Sequence, residues 1–246
     1  CPNCSFKPGS AIWMTARMIK HPEEISGLER SALIADSSLK AVLTEFKPGM
    51  TELDLELMYK IEVTKQGGTP FFFVGTAAKR AAYSDTKNTS LRINGGDMIR
   101  FDYGCIYEGY YSDLARTAFV GSPPSRKVKT YYEAVRTGTS DAIAAIRPGV
   151  TAGEIFNIAE DSTKKAGISH YKRHHCGHGI GVEVYDLPSI SPGNASRLEK
   201  DMVLCIETPY YELGWGGVQV ENTIVITADG CRYLDKSGDR LIVLEA

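Results

Sequence analysis

A five-residue pattern occurs twice in this chain, and its repetition restricts the folds that the sequence can adopt. Residues 47–51 read K-P-G-M-T, and residues 147–151, 100 positions later, read R-P-G-V-T. Each copy stands between two segments with helical spacing of apolar residues, and each second segment ends at glycine. P-G is a common turn dipeptide, so chance is the alternative explanation. The agreement of the flanking segments favours a true repeat, which predicts two similar αβ halves about a pseudo-twofold axis with a cleft between them.

The spacing of apolar residues also predicts which segments are helices and which are strands. Long stretches with apolar residues at helical intervals indicate helices, and shorter apolar runs are typical of strands. Helices are expected over 18–46, 51–66, 128–146 and 151–166, and strands over 69–75, 98–120 (two strands and a turn), 203–207, 218–227 and 241–244. These elements predict an α+β fold that occupies one domain over 16–246, preceded by an N-terminal arm or linker over 1–15.

The composition gives no reason to expect a nucleic acid or a membrane as partner. The 246 residues carry a net charge of −2, which provides no basic surface for anionic polymers or lipids. No apolar run reaches the ~18–20 residues that span a bilayer, and the first ten residues do not read as a secretory signal. Of six cysteines only Cys1 and Cys4 have motif spacing, and we interpret them as free thiols because a zinc site needs a second pair. The pattern suits a reducing cytoplasm.

Two aspartates flank a turn that we expect near 107–109. Asp102 stands in I-R-F-D-Y-G and Asp113 in Y-S-D-L-A-R-T, and the midpoint between them falls on that turn. A hairpin with this centre places the two aspartates nearly opposite each other, with Cβ atoms ~5 Å apart. Two carboxylates at this distance repel each other unless a proton or a cation lies between them.

Two glutamates are predicted to face each other in the same way, and a histidine is a further candidate ligand. Glu207 and Glu221 are centred on Gly214, so a wide hairpin would make them face each other. All four acids lie in apolar, strand-like sequence, where an unpaired charge is costly, and this favours a cation site. His178 lies in the glycine-rich run H-H-C-G-H-G-I-G; an isolated histidine is more often structural. Four carboxylates with one imidazole suit manganese, iron, cobalt or zinc.

At these residues the sequence resembles the superfamily of methionine aminopeptidases, Xaa-Pro aminopeptidases and prolidases, and the Xaa-Pro type in particular. The resemblance covers almost the whole chain, and the family's five ligand positions are filled in order. The segments that carry it are 17–24 (R-M-I-K-H-P-E-E), 96–104 (G-D-M-I-R-F-D-Y-G), 112–117 (S-D-L-A-R-T), 177–181 (G-H-G-I-G), 206–209 (I-E-T-P) and 216–223 (G-G-V-Q-V-E-N-T).

The resemblance implies a fold, a cofactor and a mechanism. It implies the pita-bread fold, with an antiparallel sheet around a central cleft, and a homodimer. It implies two divalent ions, manganese first and cobalt, iron or zinc as alternatives, which Asp113 and Glu221 bridge. Asp102 would complete one ion, and His178 with Glu207 the other. The ions would hold a shared water, whose proton Glu207 would pass to the leaving amine. Members of the Xaa-Pro type often carry a smaller domain before this one, and the missing initiator methionine suggests that such a domain once preceded Cys1.

The sequence departs from the family at positions that contact the substrate. Peptide-cleaving members carry histidines 17 residues before the first aspartate and seven after the ligand histidine, where this chain has Asp85 and Tyr185. A third such position is filled by His174. Tyr185 is expected to donate a hydrogen bond to a carbonyl or oxyanion, together with His174 as a catalytic contact. Asp85 either binds a substrate amine or is a plain loop residue. Gln219 stands where prolidase-like members often have arginine.

Three functions therefore compete. The first is a dinuclear metal-dependent aminopeptidase or dipeptidase of the Xaa-Pro type, acting on a peptide. The second is a pita-bread metalloenzyme that acts on a non-peptide amide or another small metabolite. The third is a binding module without catalysis, which is expected to have lost metal ligands; the presence of all five ligand residues argues against it.

Overall fold

The computed structural model describes residues 4–121 and 124–246, so Cys1 of the C-P-N-C motif lies outside the described residues. Cys4 is an exposed free thiol. The helices are α1 (Ser10–Ala16), α2 (Pro22–Glu45), α3 (Glu52–Lys65), α4 (Arg126–Ala145) and α5 (Ala152–Ala166), with a 3₁₀ helix over Ala78–Ala82. None of the helices in the described residues combines the length and the apolar character of a membrane span.

The strands form one large sheet and a small two-stranded one. They are β1 (Thr69–Ala77), β2 (Met98–Tyr107), β3 (Tyr110–Tyr111), β4 (Leu114–Val120), β5 (Gly177–Gly179), β6 (Asp186–Ser189), β7 (Val203–Glu207), β8 (Tyr210–Glu212), β9 (Gly216–Val218), β10 (Glu221–Ile226), β11 (Cys231–Tyr233) and β12 (Ile242–Leu244). The main sheet runs β1-β2-β4-β10-β7-β5-β6, and β8 pairs with β9.

The order of the main sheet reflects the two halves of the chain. Strands β1, β2 and β4 come from the first half, and β10, β7 and β5 repeat them in mirrored order from the second. All six pairings along this path are antiparallel. The halves join at β4 and β10, where Ala115 pairs with Glu221. The α+β prediction is therefore confirmed, and one continuous sheet contains strands from both halves of the chain.

The two P-G turns have the same conformation, which confirms the repeat. Gly49 has φ 91° and Gly149 has φ 92°, a region that only glycine adopts without strain. The N–H of Gly49 donates to the carbonyl of Ile93 at 2.7 Å, and that of Gly149 to Leu198 at 2.8 Å. In both halves the next threonine closes a capping box at the start of a helix, Thr51 with Asp54 for α3 and Thr151 with Glu154 for α5.

Side-chain alternation directs one face of the sheet to the helices and the other to the cleft. In β2 the odd-numbered Ile99, Phe101 and Tyr103 pack into a core with α2 and α3. In β7 Leu204 and Ile206 pack against α4 and α5 in a second core. Asp102 of β2 and Glu207 of β7 alternate with these residues, so they lie on the opposite face of the sheet.

Several element boundaries differ from the predictions, and the predicted strand over 218–227 is divided between β9 and β10. Helix α2 begins at Pro22, four residues after the predicted start, because proline is favoured at the first helical position and His21 provides the cap. The predicted arm contains α1, a short helix with no buried residue. Strands β5, β6, β8, β9 and β11 were not predicted because each has only three or four residues.

The equivalence of the two turns can be tested by matched glycine substitutions. Gly49→Ala and Gly149→Ala should each lower the free energy of unfolding by about 1–2 kcal/mol, because alanine is strained at positive φ. Gly230→Ala, at an open position without positive φ, is the control and should change it by less than about 0.5 kcal/mol. Chemical denaturation measures all three. If both turn variants keep wild-type stability, the turns do not require glycine.

Candidate metal centre

The five predicted ligand residues lie together on the wall of one cleft. Asp102 comes from β2, Asp113 directly precedes β4, His178 lies in β5, Glu207 ends β7 and Glu221 begins β10. The cleft has a volume of about 480 Å³ and is lined by all five. Ligand atoms of Asp102, Asp113 and Glu221 lie within 4.8 Å of one another. Each half of the chain therefore contributes to a single cluster at the strand junction.

The register of the two aspartates differs from the prediction by two residues. Asp102 pairs with Ala115, because Glu108 and Gly109 form the two-residue turn with φ values of 49° and 87°. Asp113 is thus a diagonal neighbour of Asp102, two residues away from the nearly opposite position that was predicted. A shift of two residues keeps both side chains on the same face, so the carboxylates still converge.

The glutamates pair as predicted. Glu207 lies directly opposite Glu221 in the antiparallel ladder of β7 and β10. Strands β8 and β9 continue the same hairpin beyond them, with Tyr210 opposite Val218. The wide hairpin centred on Gly214 is therefore confirmed.

Burial and mutual repulsion set the protonation of the carboxylates. Burial and then the charges of Asp102 and Glu207 raise the pKa of Asp113 well above its ordinary value. Burial and then Asp113 do the same to the pKa of Glu221. The pKa of Glu207 rises to about 7, chiefly through burial, with Arg173 opposing the rise. Burial also raises the pKa of Asp102. The positive charges of Arg100 and Arg173 oppose these rises in pKa without cancelling them.

The unpaired atoms of the cluster fit a cation. Asp113 Oδ1 and Glu221 Oε1 are buried and have no hydrogen-bond partner among the described residues. Burial lowers the pKa of His178 to about 4, so its ring is neutral. His178 Nδ1 lies 2.9 Å from the carbonyl of Gly179 and must donate to it, which leaves the lone pair of Nε2 free. Nε2 faces Asp113 Oδ2 at 3.6 Å. Carboxylates with a neutral imidazole are a donor set for divalent metals.

An amide and a guanidinium donate hydrogen bonds to carboxylates of the cluster. Gln219 Nε2 lies 3.3 Å from Asp102 Oδ2, 3.2 Å from Glu207 Oε2 and 3.4 Å from Glu221 Oε2. Arg100, fully buried, donates to Asp102 Oδ2 at 3.3 Å and to Gln219 Oε1 at 2.9 Å. Arg100 was not predicted, although an arginine in the apolar run I-R-F-D is an unusual feature.

A buried thiol also borders the cluster. Cys205 Sγ lies within 4.8 Å of ligand atoms of His178 and Glu221. Burial raises the pKa of Cys205 well above its ordinary value, so the group is a thiol. Cys205 is fully buried.

The predicted substrate residues all line the same cleft. Asp85 and His174 are exposed, and Tyr185 is 61% exposed. The ring centroid of Tyr185 lies 4.1 Å from that of His178. Burial and the nearby carboxylates raise the pKa of Tyr185, so its hydroxyl stays protonated. Three aromatic residues, Phe71, Phe72 and Tyr211, also line the cleft, whereas Phe73 packs in the core.

Comparison with known proteins identifies the class. The model of metallopeptidase family M24 matches residues 26–228. An uncharacterized peptidase of Bacillus subtilis is 34% identical over 93% of this chain and 65% of its own length. The Xaa-Pro dipeptidase of Pyrococcus furiosus is 33% identical over 96% of this chain and 68% of its own. The chain therefore belongs to metallopeptidase family M24, a family of peptidases, and spans about two thirds of these relatives' length.

A solved structure of an Xaa-Pro dipeptidase has the same fold as this chain. The Xaa-Pro dipeptidase from Bacillus anthracis superimposes with a TM-score of 0.93 at 32% identity, over 98% of this chain and 68% of that one. The prediction of the pita-bread fold is confirmed, and so is the resemblance to the Xaa-Pro type.

The repulsion within the cluster can be measured in metal-free protein. The pKa of Glu221 is raised in the folded state, so the carboxyl costs stability as pH rises above its unfolded pKa. Glu221→Gln should therefore stabilise the metal-free protein by about 1 kcal/mol or more at pH 8, and the gain should shrink toward pH 5. Urea denaturation in a chelator measures the difference.

Two histidines change the free energy of unfolding with pH in the opposite direction. Both are present in wild type and in Glu221→Gln, so their contribution cancels in the difference between the two proteins. The pKa of His175 and that of His178 are lowered to about 4, so they stabilise the fold above pH 6.5 and lose this effect as pH falls. Glu245→Gln, at an exposed position, is the control and should show no gain. A Glu221→Gln variant that is less stable than wild type at pH 8 would contradict strain in the cluster.

Proposed function

We propose that this chain is a dinuclear metal-dependent peptidase that cleaves Xaa-Pro peptides. The observation that carries the proposal is the cluster of four carboxylates and one neutral imidazole, with buried oxygens of Asp113 and Glu221 left unpaired. Relatives named Xaa-Pro dipeptidase, at about one third identity, support the substrate class.

The ligand roles are those that the resemblance to the family implies. Asp113 and Glu221 would be ligands of both of two divalent ions; Asp102 would complete the ligand set of one, and His178 and Glu207 that of the other. The ions, when bound, would supply Lewis acidity toward the scissile carbonyl and the attacking water. Manganese is our first choice, and cobalt, iron or zinc share the same donor preference.

Glu207 is the residue that we propose moves a proton. Glu207 ends β7 at the wall of the cleft, where a carboxyl group can act in turn as general base and general acid. Gln219 donates to Glu207 Oε2, which fixes the carboxylate and leaves Oε1 toward the cleft side where Arg173 and His175 lie. Glu207 would take the water's proton and deliver it to the leaving amine.

Tyr185 and His174 are the proposed contacts to the reacting carbonyl. The hydroxyl of Tyr185 stays protonated, so it is a neutral donor beside the cluster, where peptide-cleaving relatives carry histidine. His174 packs edge-on against His175, with ring centroids 4.4 Å apart, which orients it at the cleft wall. Asp85, an exposed acid on the same wall, would bind a substrate amine.

A second candidate function is hydrolysis of a small non-peptide amide. The specific observation that favours it is the presence of Asp85 and Tyr185 in the cleft at positions where histidines are expected.

A cytoplasmic homodimer remains our prediction for the assembly and location. The cysteines of the described residues are free thiols, which is typical of a reducing compartment.

The metal assignment predicts the metal content of two aspartate variants. Asp113→Asn should lower the bound manganese from about two ions per chain to one or none, because the bridging carboxylate is lost. Asp85→Asn, which removes a carboxylate from the same cleft, should keep both ions. Elemental analysis after gel filtration measures the ratio, with circular dichroism as the check on folding. Two ions in Asp113→Asn would contradict the assignment.

The hydroxyl of Tyr185 predicts a kinetic effect. Tyr185→Phe should lower kcat on Ala-Pro by about 100-fold with a smaller change in KM, because a hydrogen-bond donor to the reacting carbonyl is lost. Tyr185→His should retain more activity than Tyr185→Phe, since imidazole also donates. Tyr233→Phe, a half-exposed tyrosine on β11, is the control. An unchanged kcat in Tyr185→Phe would show that this side chain only packs.

A further inference from the structure

The two halves of the main sheet meet through very little backbone pairing. Within residues 4–121 and 124–246, the ladder between β4 and β10 contains a single residue pair, Ala115 with Glu221. By contrast, β2 and β4 share six pairs, and β7 and β10 share five. A ladder this short leaves backbone donors and acceptors on either side of the pair that need other partners. Side chains provide these partners at the junction of β4 and β10.

Two threonines hold the strands together on either side of the central pair. Counting two residues from that pair in each direction places Thr117 opposite Gln219 and Thr223 opposite Asp113. Thr117 Oγ1 donates to the carbonyl of Gln219 at 3.0 Å and accepts from its N–H at 2.9 Å. Thr223 Oγ1 donates to the carbonyl of Asp113 at 2.9 Å. Both threonines are buried, and a hydroxyl can replace a backbone partner because it both donates and accepts.

A buried arginine connects the central pair itself. Arg116 Nη1 donates to the carbonyl of Ala115 at 2.8 Å and to that of Glu221 at 2.5 Å. Its Nη2 donates to Asp235 Oδ1 at 2.9 Å, and Asp235 Oδ2 accepts from the N–H of Thr223 at 3.0 Å. Side chains therefore fix the distance between the two strands at the central pair and on both sides of it.

The backbone groups held at this junction belong to residues that form the metal cluster. Asp113 and Glu221 come from opposite halves of the chain, so the separation of their carboxylates depends on the separation of the two strands. Thr223 holds the backbone of Asp113. Thr117 holds the backbone of Gln219, whose amide donates to three carboxylates of the cluster. The carboxylates repel one another, which favours a wider junction, and the hydroxyl bridges oppose this widening.

We propose that Thr117 and Thr223 are positioning residues that set the separation of Asp113 and Glu221, and thereby the affinity of the cluster for its second divalent ion. This inference rests on the proposed function, because it takes Asp113 and Glu221 as ligands of both ions. The two threonines are not ligands in this account. They act through the backbone of Asp113 and of Gln219.

A double-mutant cycle in metal-free protein tests the proposal without turnover. Thr117→Val removes the hydroxyl and keeps the branched shape of the side chain. The stability that Glu221→Gln gains at pH 8 should fall to less than half in the Thr117→Val background, because the carboxylates can then move apart. A purely structural threonine would give additive changes. Thr163→Val, which removes a buried hydroxyl that bonds within α5, is the control and should keep the full gain.

Manganese titration followed by electron paramagnetic resonance gives the second readout. Thr117→Val and Thr223→Val should each weaken binding of the second ion about 10–100-fold, as is typical when a residue that orients metal ligands is lost. Thr117→Ser and Thr223→Ser should stay within about threefold of wild type, because serine retains the hydroxyl. Thr163→Val should match wild type.

Two outcomes would overturn the role of the threonines. One is additive stability changes for Thr117→Val and Glu221→Gln. The other is wild-type affinity for the second ion in either valine variant that folds. If wild type binds fewer than two ions, the proposed function fails, and the metal-free cycle alone decides the role of the threonines. Should Thr117→Val fail to fold, Thr117→Cys replaces it in both experiments, because a thiol is a weaker donor than a hydroxyl.

Discussion

Four carboxylates face one another where the two halves of the sheet meet, and their repulsion is the constraint on which the rest of the site depends. Asp113, Glu207 and Glu221 are nearly excluded from water, and burial raises the pKa of each. Isolated charges in such a place are costly, so the surroundings must offset them. The amide of Gln219 contacts three of the four acids, and Arg100 contributes a fully buried positive charge. Two divalent cations would complete the compensation.

The pseudo-twofold arrangement explains how one chain brings these acids together. Glu221 begins the strand that joins the halves, and Asp113 lies just before its partner strand. The P-G turns of the two halves fix equivalent helices against the outer face of the sheet, through the same backbone hydrogen bonds at Gly49 and Gly149. Alternation along the strands then leaves the opposite face free for the ligands.

Features with a local cause could be predicted from the sequence, and those that depend on distant packing could not. Glu207 and Glu221 were placed correctly because their hairpin is symmetric about Gly214. The aspartate register was wrong by two residues because Glu108 adopts positive φ, which a non-glycine residue rarely signals. The burial of Arg173 was not predicted because an arginine next to histidines in a loop reads as a solvated charge. Its guanidinium lies 5.7 Å from the ring centroid of Tyr211, which stands 38 positions later in the sequence.

The central claim is that two cations lie within this cluster, and anomalous diffraction from manganese-loaded crystals tests it most directly. Data collected at the manganese edge should show two peaks about 3.5–4 Å apart, both within coordination distance of Asp113 and Glu221. Asp102 should approach one of them, and His178 with Glu207 the other. A single peak, or peaks at sites away from these five residues, would contradict the account.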